Sequence, residues 1–112
     1  MLRTVIISPY RYKAHNKFKS LVNYITKKNN ITEAKTDEFG DNYYVVFDND
    51  MSLEIIVAIP KEIESALADK YFDVVYIDRD YNEDEVWVIR QQLIGQQSKP
   101  MIYFYRNEKE IS

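Results

Sequence analysis

Two short polar segments carry most of the residues in this chain that can do chemistry. SPYRYKAHNK, residues 8–17, puts three bases, two tyrosines and the only histidine into ten positions. DRDYNEDE, residues 78–85, sets five acids around Arg79 and Tyr81. Guanidinium and ammonium groups beside phenol rings suit phosphate contacts and base stacking. The same residue types are enriched at protein interfaces.

The acidic segment also invites a metal reading. Asp78, Asp80, Asn82 and Asp84 occupy the first four odd positions of an EF-hand-like loop. The match ends there. Glu83 stands where glycine is required, and Ile89 stands where a bidentate glutamate is required. Acids at the start of a helix complement its dipole without any ion, so no metal site is expected.

Other chemistries are excluded by what is missing. The two glycines, Gly40 and Gly95, cannot build a phosphate loop of either nucleotide-binding type, and without that cradle phosphate oxygens lose a row of N–H donors. His15 is the only histidine and no serine is flanked by glycines, which argues against a hydrolase triad. There are no cysteines, hence no disulfide, zinc thiolate or thiol nucleophile. Nothing suggests a sugar cleft for paired carboxylates. The expectation is a protein that is not an enzyme, with no catalytic residue and no cofactor.

The elements that must position the two segments are legible from hydrophobic patterning. Residues 4–8 (TVIIS) read as a buried strand that stops at Pro9. Residues 14–28 read as a helix with Ala14, Phe18, Leu21, Val22 and Ile25 on its inward face. Lys13, Lys17, Tyr24 and Lys28 fall on one flank. Asn29 and Asn30 are expected to end it in a left-handed conformation. Residues 31–36 are a weaker strand, and 37–42, with Gly40, a turn. Residues 43–47 (YYVVF) and 53–59 (LEIIVAI) read as a hairpin closed by DNDM and placed at the sheet edge. Self-association as a homodimer through that edge is a further expectation.

Pro60 suits the first turn of a helix ending near Asp69. Residues 72–77 (FDVVYI) form another buried strand. Asn82 and Glu85 have the spacing of a capping box. In the helix they open, Val86, Ile89 and Leu93 point inward, Trp87 and Ile94 widen the stripe, and Gly95 follows its end. Pro100 precedes a last strand, 101–105, and the tail from Asn107 is polar. Three continuous apolar strands imply parallel neighbours covered on both faces. The predicted fold is one α/β domain over residues 1–112: a three-layer sandwich with a mixed, mostly parallel sheet and an added antiparallel hairpin.

In such sheets ligands sit beyond the carboxyl ends of the parallel strands. Residues 9–13, 78–81 and Arg106 follow three of those ends. The expected binding residues are therefore Tyr10, Arg11, Tyr12, Lys13, Lys17, Lys28, Arg79, Tyr81 and Arg106, with Asp78 and Asp80 on the same rim. The competing expectation is that Arg11 or Arg106 simply pairs with those aspartates.

Totals point the same way. At 112 residues, with 46% hydrophobic and 29% charged, the chain can bury a core unaided. The net charge of −3 hides an asymmetry. Residues 1–30 hold seven bases and no acid; the remainder holds eight bases and all eighteen acids. A basic end of this kind meets an anionic partner or neutralises the rest of the fold. The longest apolar run, residues 55–59, is far short of the roughly 20 that span a bilayer. With no signal-peptide pattern at the N-terminus, the expectation is a cytoplasmic protein, in its producing cell or an infected host. The richness in Lys, Asn, Ile and Tyr suggests an AT-rich genome of the phage or mobile-element kind.

TVIISPYRYKAHNKFKSLVNYI resembles the strand–Pro–helix unit that follows the ATP site in helicase and phage terminase motors. KYFDVVYIDRDY resembles their aspartate-ending Walker B strand, and KPMIYFY the strand after it. The chain departs from that family in lacking a phosphate loop and in placing Arg79 where a catalytic acid would follow Asp78. The resemblance implies a motor-like fold, phage-encoded, without ATPase activity. Taken together, the residues suggest a small non-enzymatic protein. It would contact nucleic acid or another anionic surface through its basic N-terminal segment and the strand-end loops. The anionic partner would be nucleic acid or an acidic protein surface. The alternative is a protein-interaction module, an inhibitor or accessory subunit of a host or phage enzyme, with Tyr, Trp and Arg as hot spots and the acidic segment 78–85 counting as much as the basic one.

Overall fold

The computed structural model describes residues 2–36, 42–58, 71–93 and 100–106. Strand β1 (Leu2–Ile7) leads into helix α1 (Arg11–Lys28), followed by β2 (Ile31–Thr36), β3 (Asn42–Phe47) and β4 (Ser52–Ala58). Then come β5 (Val74–Asp78), helix α2 (Glu83–Leu93) and β6 (Met101–Tyr105). The expected turn at residues 37–42, apart from Asn42, which opens β3, the helix after Pro60, Ile94, Gly95 and the tail lie outside the described residues.

The strands form one six-stranded sheet in the order β2-β3-β4-β1-β5-β6. β4, β1, β5 and β6 run parallel; β3 is antiparallel to β4, and β2 to β3. This is the predicted mixed sheet. β1 lies inside it because its side chains are apolar on both faces, with Val5, Ile6 and Ile7 fully buried. Alternation along the strand sorts them. Ile6 joins Tyr43, Val45, Ile55 and Val57 beneath Ala14 and Phe18 of α1. Val5 and Ile7 join Val75 and Ile77 beneath Ile89 and Leu93 of α2. Among the described residues one helix covers each face, which gives three layers.

Three local expectations are corrected. α1 begins at Arg11, three residues early, because the amides of Lys13 and Ala14 already donate to the Tyr10 carbonyl. Ser8, Pro9 and Tyr10 thus make the whole connection. Asn29 is extended (φ −134°), not left-handed, because β2 starts two residues later. Its backbone N–H and side-chain amide both donate to the Ile25 carbonyl instead. The β3–β4 hairpin forms as predicted, but it is not the edge. β4 is buried from Ile55 to Ala58 and pairs with β1, while exposed β2 takes the outer position.

The capping box on α2 is present in full. The Asn82 amide donates to Glu85 Oε1 at 3.0 Å, and the Glu85 amide donates to Asn82 Oδ1 at 2.8 Å. It fixes where α2 leaves the end of β5, and so aims the helix face described below.

Candidate functional site

β1 and β5 are neighbours, yet their following helices cover opposite faces. That arrangement opens a crevice beyond the strand ends. Register brings the end residues together: Ile7 lies opposite Ile77, and Asp78 opposite Tyr105. The rim therefore has an α1 side and an α2 side.

On the α1 side most polar groups engage one another, although the buried Tyr105 hydroxyl has no hydrogen-bond partner. The Asp78 carboxylate is 1% exposed. It accepts the Ser8 hydroxyl at 2.7 Å and the Asp80 amide at 2.9 Å. Ser8 in turn accepts the Tyr10 amide at 3.2 Å. These bonds explain why the chain tolerates a carboxylate in its core. Lys13 is buried and ion-paired with Asp80. Its ammonium also lies 5.5 Å from the Tyr10 ring centroid. Lys17 sits over two rings, Tyr76 at 4.9 Å and Tyr105 at 5.6 Å. Burial, and secondly the charge of Asp78, push the Tyr105 phenol well above the usual tyrosine range.

Tyr10 and Tyr12 are exposed, their rings 5.9 Å apart. Arg11 is half-buried at the first turn of α1. Lys28 is not part of this rim. It lies in the last turn of an 18-residue helix, about 25 Å along the axis from Arg11, beside Tyr24. Lys27 accompanies it, and both suit the negative end of the helix dipole. Arg3 is the second residue of β1, at the opposite end of that strand from the rim, and pairs with Glu54 at 3.3 Å. These N-terminal bases are thus distributed over the molecule instead of forming one patch.

The α2 side is different. A groove of about 470 Å³ runs between α2 and the ends of β5 and β6. Arg79, Arg90 and Arg106 line it together with Tyr81, Trp87 and Phe104. All three arginines are exposed, and none is ion-paired among the described residues. The Arg90 guanidinium lies 5.7 Å from the Phe104 ring centroid. Of the groove's two acids, Asp78 is buried and engaged with Ser8, and Glu83 is exposed in the first turn of α2. Tyr81 is 7% exposed and its hydroxyl is buried with no hydrogen-bond partner. Burial, then the charges of Glu85 and Asp78, push that phenol far above its ordinary value.

The rim thus unites eight of the nine expected residues, divided between its two sides: Tyr10, Arg11, Tyr12, Lys13 and Lys17 on one, Arg79, Tyr81 and Arg106 on the other. The sequence reading missed Trp87, Arg90 and Phe104. Trp87 was expected to widen the inward stripe of α2, but it is 63% exposed. The available signal was a second helical stripe, Glu83, Val86, Trp87 and Arg90, beside the inward one. Among the described residues no group of three or more His, Asp or Glu could hold a metal ion. No described helix is long and apolar enough to cross a membrane. Compared with known proteins, the chain matches no family model, no curated protein and no solved structure.

Proposed function

We propose that this chain is a small binding protein that contacts single-stranded nucleic acid through the strand-end rim, without a catalytic step. The observation that carries the proposal is the contrast across the rim. Lys13 and Lys17 are engaged within the fold on the α1 side, whereas three exposed arginines share the α2-side groove with Trp87 and Phe104. Guanidinium groups bind phosphate bidentately and stack on rings. Flat side chains receive bases regardless of sequence. The weight of the contact therefore moves from the basic N-terminal segment to the loops after β5 and β6. A motor-like ancestry, a phage origin and a cytoplasmic setting accompany this reading as proposals.

Direct binding tests it. A labelled single-stranded oligonucleotide is titrated with the full chain at about 50 and 200 mM salt. Three phosphate contacts on a single strand correspond to a loss of about 20-fold in affinity between those conditions. Absence of binding to DNA and RNA strands alike at the lower salt overturns the proposal.

A second reading, a protein-interaction module, is favoured by one separate feature. On the α1-side face of β5 and β6, Tyr76 and Tyr103 stack at 5.5 Å beside exposed Met101. β6 also offers an uncharged sheet edge, MIYFY. A partner retained from the producing cell after nuclease treatment, and lost on Tyr103→Asp, supports this reading. Sedimentation of the purified chain shows whether that partner is a second copy.

A further inference from the structure

Resting on the nucleic-acid reading, and narrowing it, we infer that the α2-side groove holds a single nucleotide, its base stacked on Trp87 and its phosphate facing Arg79 and Arg106.

The groove has two unlike parts. Trp87 and the Arg90–Phe104 pair supply flat surfaces with π faces. Arg79, from the loop after β5, and Arg106, from the end of β6, supply guanidinium groups. A ligand that satisfies both carries an aromatic ring and an anionic group within one small unit. A nucleotide does. An acidic peptide offers carboxylates but leaves the rings uncovered.

Size and polarity agree. The volume of about 470 Å³ falls within the roughly 300–1,000 Å³ of small-molecule pockets, enough for one nucleotide and not a folded strand. The acidic lining does not cancel the arginines, because two acids, Asp78 and Glu83, face three guanidinium groups, and Asp78 is buried with its oxygens bonded to Ser8 and the Asp80 amide. Tyr81 contributes to the groove wall. Trp87 presents a large apolar ring to solvent beside cations, an arrangement that core packing does not require.

The chain contains one tryptophan, so its emission, excited at the red edge where the tyrosines do not absorb, reports on this groove. The full chain is titrated with adenosine 5′-monophosphate, adenosine, inorganic phosphate and poly-glutamate. A labelled single strand is followed in parallel by anisotropy. The expected result is saturable quenching by the monophosphate, with adenosine at least about tenfold weaker and competition against the strand. Trp87→Ala weakens strand binding at least about fivefold, in line with loss of one stacked base. Trp87→Phe keeps most of it. Trp87 is exposed, so both variants fold; circular dichroism confirms this. Strand binding with unchanged tryptophan emission and a wild-type-like Trp87→Ala overturns the groove assignment and leaves the nucleic-acid reading standing. Quenching by poly-glutamate equal to that by the monophosphate, or equal affinity for phosphate alone, overturns the nucleotide assignment. If no strand binds at all, the broader reading fails, and this inference with it.

Discussion

Asp78 shows how one residue links the core to the rim. As a buried carboxylate it must keep its hydrogen bonds, and the Ser8 hydroxyl provides one across 2.7 Å. Ser8→Ala removes that donor and also the acceptor for the Tyr10 amide. The expected cost is about 1–3 kcal/mol, the range for a buried polar group left unsatisfied. Urea unfolding measures it; an unchanged midpoint would show that Asp78 finds another partner. Tyr81 gives the opposite case. Its hydroxyl has no partner, so Tyr81→Phe is expected to keep or raise stability near neutral pH. Burial, with Glu85 and Asp78 behind it, raises its folded-state pKa above the unfolded value near 10. The fold therefore prefers the neutral phenol. That preference contributes fully below about pH 10 and is lost as pH rises through the folded value. Between about pH 8 and 11 the wild-type chain should lose more stability than Tyr81→Phe. Equal losses would count against the shift.

At the scale of elements, α2 is the part whose placement matters most. Its inward stripe, Ile89 and Leu93, seats it on β1 and β5, and this leaves the Glu83–Arg90 stripe turned to the groove. The capping box sets where the helix starts, and therefore which residues reach each stripe. Asn82→Ala is expected to cost about 1 kcal/mol. The same change should reduce nucleotide-induced quenching of Trp87, because fraying of the first turn loosens the groove wall. Thermal unfolding and the fluorescence titration read the two effects separately. The sheet edges differ in the same spirit. β2 carries Glu33 and Lys35, ion-paired at 3.0 Å, and a register shift between Ile31 and Glu33. Both features discourage pairing with another chain. β6 carries neither charge nor shift, which is why the interaction reading attaches to it.

The whole molecule redistributes a charge asymmetry that looks simple along the chain. Seven bases and no acid in residues 1–30 suggest one positive face. Folding sends Arg3 away from the rim and carries Lys27 and Lys28 to the far end of α1, while Lys13 is buried against Asp80. Arginines from residues 79–106, inside the acidic portion, are brought together instead. Lys27 and Lys28 lie at the far end of α1, about 25 Å along its axis from Arg11 at the rim, beyond the screening length of about 10 Å at 0.1 M salt, so Lys27→Ala/Lys28→Ala should change strand affinity by less than about twofold. Arg79→Ala/Arg106→Ala should lower it at least about tenfold. The reverse ranking, measured by anisotropy, would return the contact to the N-terminal helix.

By itself the sequence determined the described elements and their succession along the chain. Continuous apolar runs required strands covered on both faces, and the spacing of Ala14 and Phe18 required a helix over them. The Asn82–Glu85 pair announced a helix start. Local chemistry suffices for such features, since a strand or a cap involves neighbours within a few residues. The rim was legible too, because parallel strands place their ends together. Strand order was not legible: only packing puts β4 beside β1 and β2 at the edge, and an apolar segment such as LEIIVAI fits an edge hairpin or an interior strand equally on local grounds. Nor was the state of each charge. Whether a lysine is buried against an aspartate 67 positions away, or an arginine stands exposed in a groove, depends on distances that only the folded chain sets. Electrostatic energy follows separation in space and local solvent exposure, and neither is written in the order of the residues.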